Sequence, residues 1–146
     1  MDAEDPLSLE RQVCFALAVA SRSVIAAYRP VLEPLNLTHP QYLVMLALWE
    51  REPLSLRDVG ALLHLDAGTV SPLVKRLESL GYVERQRDPD DERSLRISLT
   101  PEGRALRAQA ERIPAQMMAR LDMDAEELAA LHASMTKLIS AATRRP

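Results

Sequence analysis

The segment from Ser55 to about Thr100 constrains the fold more than any other part of this 146-residue chain. Ser55, with Asp58 three residues on, opens a short helix on which Leu56, Val59, Leu62 and Leu63 recur at helical spacing. Asp66-Ala67-Gly68-Thr69 reads as a turn offering two N-caps. Beyond it Val70, Leu73, Val74, Leu77 and Leu80 form one apolar stripe, and Gly81 supplies a C-terminal stop. Pro72 fits only near the start of that helix, because deeper inside it removes a hydrogen bond and collides with the preceding turn. Two strand-like stretches follow, Tyr82 to Arg87 and Ser94 to Leu99, the second alternating Leu95, Ile97 and Leu99 with polar neighbours. The polar run from Asp88 to Arg93 reads as the loop between them. Two short helices meeting at a tight turn and followed by a hairpin point to a winged helix-turn-helix.

The flanks read as helices. From Leu7 to about Leu35 the chain is helical, apolar all round between Val13 and Ala20, and ended by Pro30 and Pro34. Thr38 and Gln41 have capping-box spacing and open a helix to about Trp49, with a break at Glu50-Arg51-Glu52-Pro53. Thr100-Pro101-Glu102 caps a further helix with a kink at Pro114, and Asp124 with Glu127 caps a last one to about Ala142. The expected fold is mainly α with a small β wing. It is one domain, with residues 38–100 as the winged helix-turn-helix lobe and residues 1–37 and 101–146 as additional helices.

Several function classes drop out on composition and motif. Hydrophobic residues make up 47% and charged residues 27%, ordinary for a globular protein. No uncharged apolar run reaches the ~18 residues of a membrane span, and the acidic start MDAEDPLSLE is unlike a targeting signal, so a cytoplasmic location is expected. Cys14 is the single cysteine and excludes an internal disulfide. His64 and His132 stand apart from other ligand types, so neither a metal nor a cofactor is expected. No nucleophile elbow, zinc-protease motif or phosphate-binding glycine loop occurs. A thiol-dependent peroxidase needs a cation beside its cysteine, and only Arg11 and Arg22 are near Cys14 in sequence.

Charge alone does not identify a partner. The net charge is -3, and between Lys75 and Arg96 six basic residues face six acidic ones. Pattern does better. Gly68, Thr69, Ser71 and Pro72 give the helix a small leading end that permits close approach, while Lys75 and Arg76 supply phosphate or guanine contacts. Arg93 at the hairpin tip suits a minor groove, and Asp91 is placed to hold its guanidinium. Double-stranded DNA is the implied partner. A pure protein-interaction module would leave Lys75, Arg76 and Arg93 without a task.

The wing Asp91-Glu92-Arg93, followed by Leu99-Thr100-Pro101-Glu102-Gly103, resembles the MarR family of transcription regulators. Leu9 to Leu17, Tyr28-Arg29-Pro30, Pro40 to Met45 and Asp66 to Thr69 resemble its organic-hydroperoxide-sensing repressors. The resemblance implies a homodimer paired through its first and last helices on a pseudo-palindromic operator, with recognition helices about 34 Å apart. It makes Cys14 a redox sensor whose thiolate attacks an organic hydroperoxide, after which a low-molecular-weight thiol completes the change. Tyr28 matches a tyrosine bonded to the sensor. It lies fourteen positions from Cys14, ~21 Å along a straight helix, and so meets Cys14 of the partner subunit if the first helices cross antiparallel. Where the family commonly has tyrosines, this chain has Ala18 and His39; His39 either favours a thiolate or packs at the start of its helix. Read from the residues, Cys14 is either this sensor or a small buried hydrophobe, held as an unreactive thiol by apolar surroundings. The alternative signal is a phenolic or lipophilic ligand near Met45, Met117 and Met118, with Cys14 structural.

Overall fold

The computed structural model describes residues 5–144, apart from the Glu92 side chain. These residues form two compact units, the first ending at Glu111 and the second beginning at Arg112.

The first unit opens with a 3-10 turn at Leu9–Arg11, and helix α1 follows at Val13–Leu32. The expected helix from Leu7 is therefore interrupted. Gln12 is extended, and its side-chain amide donates to the carbonyls of Pro6 (2.8 Å) and Ser8 (3.0 Å), which wraps the preceding residues into a turn. Pro30 is tolerated inside α1, and the helix passes into a 3-10 turn at Glu33–Leu35 that ends on a left-handed Asn36. Within α1 only Val31 and Leu32 are buried, and from Val13 to Ala20 every residue but the half-buried Leu17 is exposed. By length and composition alone Val13–Leu35 could cross a membrane. Arg22 in its middle opposes this, since a basic residue at a span's centre costs about 2.5–3.5 kcal/mol.

Helix α2, His39–Glu50, starts at the expected capping box, where the Thr38 N–H donates to the Gln41 side chain at 3.0 Å. It is the central helix of the lobe: Tyr42, Val44, Met45, Ala47 and Leu48 are all buried. Strand β1 (Leu54–Ser55), α3 (Leu56–Leu63), α4 (Ala67–Ser79), β2 (Val83–Asp88), β3 (Asp91–Leu99) and α5 (Pro101–Ala110) complete this unit. The antiparallel sheet has the order β1-β3-β2, with Leu54 opposite Ile97 and Val83 opposite Leu99. The core joins Leu32, Met45, Leu48, Val59, Leu77 and Ile97, all fully buried. The hairpin differs from expectation. Only Pro89 and Asp90 form the turn, and β3 begins at Asp91, so Arg93 lies in a strand rather than a loop.

Gly103 locks α5 to the sheet. A Cβ there would collide with the Tyr82 carbonyl oxygen, which accepts the Thr100 N–H at 3.0 Å, and the Gly103 carbonyl accepts from the Trp49 indole at 2.9 Å. In place of a kink at Pro114, α5 stops at Ala110 and a separate helix begins.

The second unit contains that helix, α6 (Ile113–Leu121), with Pro114 in its first turn, and α7 (Ala125–Ala142). The Asp124–Glu127 capping box forms as expected, with bonds of 2.8 and 3.3 Å. No residue of α7 is buried, and Leu131, Leu138 and Ile139 form an exposed apolar stripe.

Candidate nucleic-acid interface

Helix α4 is built from its cap. Of the two available caps the chain uses Asp66, so Thr69 lies inside the first turn and not in the connection. Asp66 Oδ1 accepts both the Thr69 N–H (2.7 Å) and the Thr69 hydroxyl (2.8 Å). These bonds hold the Asp66 carboxyl below its ordinary range. Val70, Val74 and Leu77 are fully buried, which turns the opposite side of α4 outward. There Gly68, Thr69, Pro72, Lys75 and Arg76 are exposed, with Ser71 half-buried beside them. The sequence-predicted residues of this helix therefore share one accessible face.

The wing is tied directly to this helix. Gly81, at φ +83, takes the left-handed position that lets the Tyr82 N–H bond back to the Leu77 carbonyl at 3.0 Å. Arg85 on β2 then grips Glu78 on α4 through two bonds of 3.2 and 3.1 Å, which hold the Glu78 carboxyl below its ordinary range. A carboxylate in the last turn of a helix opposes the helix dipole, and Arg85 offsets this. At the tip Asp88 accepts the Asp90 N–H (2.9 Å) and pairs with Arg96 (3.1 Å). Asp91 accepts the Arg93 backbone N–H at 3.0 Å and the Ser94 hydroxyl at 3.2 Å, so it orders the main chain around Arg93 and not its guanidinium. The balanced charge of this region thus resolves in space. Arg85 and Arg96 are neutralised, while Lys75, Arg76, Arg87 and Arg93 make no ion pair among the described residues and are all exposed.

The α1 residues form a second locus. Cys14 is exposed, so it does not take the buried packing position that is one of its two readings; within α1 only Val31 and Leu32, in the last turns, are buried. At the other end Tyr28 packs against His39 (ring centroids 5.0 Å apart) and Tyr42 (5.8 Å). Burial pushes the His39 pKa down and both tyrosines up; Tyr28 adds to the rise at Tyr42. Cys14 and Tyr28 lie on one continuous helix, ~21 Å apart, and are not brought together within the chain. A cleft of about 400 Å³ adjoins the cluster, lined by Ile25, Arg29, Glu33, Leu37, Thr38, His39 and Pro40. Met45 is wholly buried and Met117 nearly so, so both act as packing residues.

A model of the MarR family matches residues 37–95. The chain is 41% identical to the organic hydroperoxide resistance transcriptional regulator of Bacillus subtilis, over 92% of each chain. The chain belongs to the MarR family. Among solved structures, a probable transcriptional regulator from Pseudomonas aeruginosa superposes with a TM-score of 0.77 at 32% identity, covering 89% of this chain and 98% of that one. Reduced AbfR bound to DNA, from Staphylococcus epidermidis, gives 0.76 at 31% identity over 93% of this chain and 95% of that one. As a MarR regulator the protein binds DNA to control transcription and is not an enzyme.

Three contributors in this MarR chain escape a reading of the sequence. Tyr42 completes the aromatic cluster; its signal was the i, i+3 spacing from His39. Arg87 is exposed on the wing and makes no ion pair among the described residues, a charge hidden in a run of alternating signs. Glu52, in what looked like a break, accepts the Leu99 N–H at 2.6 Å and Arg104 Nε at 2.8 Å, tying the base of the wing to α5. No local pattern announces that bond, because its partners are 47 and 52 residues away.

Proposed function

We propose that this regulator is a homodimeric repressor that leaves its operator when Cys14 is oxidised by an organic hydroperoxide. The observation that carries this reading is the position of the sole cysteine, exposed on an uncovered apolar helix. Val13, Phe15, Val19 and Ile25 on α1 are exposed, as is the stripe on α7, and helices of this kind are stable when a second surface covers them. A second copy is the natural cover. Residues 1–37 and 101–146 then pair the subunits, and each 38–100 lobe reads half of a pseudo-palindrome. Gly68, Thr69, Ser71, Pro72, Lys75 and Arg76 enter the major groove, and Arg93, with its main chain held by Asp91, enters the minor groove.

In that dimer Cys14 of one subunit approaches Tyr28 and His39 of the other. The thiolate sulfur attacks the peroxide, taking one oxygen as a sulfenic acid while the alcohol leaves. A low-molecular-weight thiol condenses with the sulfenic acid, releasing water and leaving a mixed disulfide. With no second cysteine, that step needs a thiol from solution. The relative in Bacillus subtilis supports this signal by its name. The test is operator binding after cumene hydroperoxide plus a small thiol, with intact mass read in parallel. Wild type is expected to lose binding as a mixed disulfide appears. Equal loss in Cys14→Ser would refute the sensor.

The cleft beside Arg29 favours one other signal, a phenolic or lipophilic anion whose charge meets Arg29 and whose body lies on Ile25, Leu37 and Pro40. A thermal shift with salicylate-like compounds that persists in Cys14→Ala would establish it.

A further inference from the structure

We infer that Thr69 is a specificity-determining residue that reads a base carrying an exocyclic amino group, adenine or cytosine, because Asp66 has already claimed its hydroxyl hydrogen. This rests on the proposed placement of α4 in the major groove. A threonine hydroxyl has one hydrogen to donate and two lone pairs to accept with. A carboxylate only accepts, so in the 2.8 Å contact the hydrogen must point from Thr69 Oγ1 to Asp66 Oδ1. The geometry is doubly fixed, since the Thr69 N–H reaches the same oxygen at 2.7 Å and pins the residue in the first turn. Thr69 is nonetheless exposed, so an outside donor can reach it, and the hydroxyl oxygen keeps lone pairs to accept with.

Phosphate oxygens are acceptors. A hydroxyl with no hydrogen to spare repels them, which removes the commonest task of a threonine on DNA. In the major groove the available donors are adenine N6 and cytosine N4; guanine presents only N7 and O6, and thymine only O4 and its methyl group. Thr69 therefore accepts from an amino base and rejects guanine at that position. The cations Lys75 and Arg76, on the same exposed face, take the phosphates or a guanine. Asp66, which touches Thr69, is the positioning residue: it caps the helix and sets the polarity of reading with one oxygen.

The test is selection of duplexes from a randomised pool by the full-length protein, followed by affinity measurement on the selected site and its single-base variants. Wild type is expected to require A or C at one position in each half-site. Thr69→Val keeps the shape without the hydroxyl and should flatten that position alone, by roughly three- to tenfold, the worth of one hydrogen bond. Thr69→Ser retains the hydroxyl and should keep the preference. Asp66→Ser retains a cap but can return a donor to Thr69, so guanine and thymine should be admitted there while the melting temperature stays near wild type. A uniform loss of affinity in Thr69→Val with an unchanged selected motif would overturn the inference. If Lys75→Ala and Arg76→Ala alter neither affinity nor its salt dependence, the placement of α4 fails instead, and the Thr69 reading falls with it.

Discussion

Removing the Glu52 carboxylate tests whether one side chain stands in for a missing stretch of strand. In the register of β1 on β3, Leu54 faces Ile97, so residue 52 falls opposite Leu99. β1 does not extend that far, and the Glu52 side chain takes the Leu99 N–H at 2.6 Å where a backbone carbonyl would otherwise serve. A hydrogen bond to a charged acceptor contributes about 1.5–3 kcal/mol, and Leu99 is nearly buried, so its amide has little water to turn to. The second bond is weaker. The Arg104 side chain is 57% exposed, which limits that ion pair to about 0.2–1 kcal/mol. Glu52→Ala should therefore cost about 2–4 kcal/mol in all, which at about 2–4 °C per kcal/mol lowers Tm by roughly 4–16 °C. Arg104→Ala should cost at most about 1 kcal/mol, and Glu52→Gln, whose amide oxygen still accepts from Leu99, should lie between them. Thermal unfolding of the three variants in one buffer makes the comparison. An Arg104→Ala loss as large as that of Glu52→Ala would refute the reasoning, because the amide bond would then contribute nothing.

Leu77→Ala should destabilise by about 2–5 kcal/mol in denaturant unfolding, since a wholly buried side chain leaves a cavity under α4. Tyr82→Phe should cost about 1 kcal/mol, the worth of its 2.8 Å bond to the Leu35 carbonyl. Stability should fall as pH drops from the ordinary imidazole value of 6.5 towards the depressed value of folded His39, because the unfolded chain binds that proton first; His39→Gln should flatten this segment of the curve. On the proposed dimer, Lys75→Ala or Arg76→Ala removes one cation from each subunit, and a role on phosphate predicts that the salt slope of DNA binding falls by roughly 1.8, twice 0.9, in a titration of affinity against ionic strength.

What was legible in the sequence was what local chemistry decides. The caps at Thr38, Ser55, Asp66, Thr100 and Asp124 act within a single turn, and each starts a helix in the structure. The stripe from Val70 to Leu77 likewise depends only on helical period. The misses share a distant cause. β3 runs back to Asp91 through polar residues because pairing with β2, and not alternation, holds it there. β1 exists only through its contact with β3. Asp91 looked like a partner for a guanidinium, but the nearer Arg93 N–H and Ser94 hydroxyl took its two oxygens. The apolar residues beside Cys14 left its burial open, since cover depends on what packs against α1, which composition cannot supply.

The clasp between Arg85 and Glu78, with the tight turn at Gly81, has a consequence for control. The pair holds the first strand of the wing against the last turn of α4, weakly, because both partners are partly exposed and solvent screens their charges. In the proposed docking, a displacement of α4 therefore carries the base of the wing with it, so a signal that moves one DNA contact is handed on to the other.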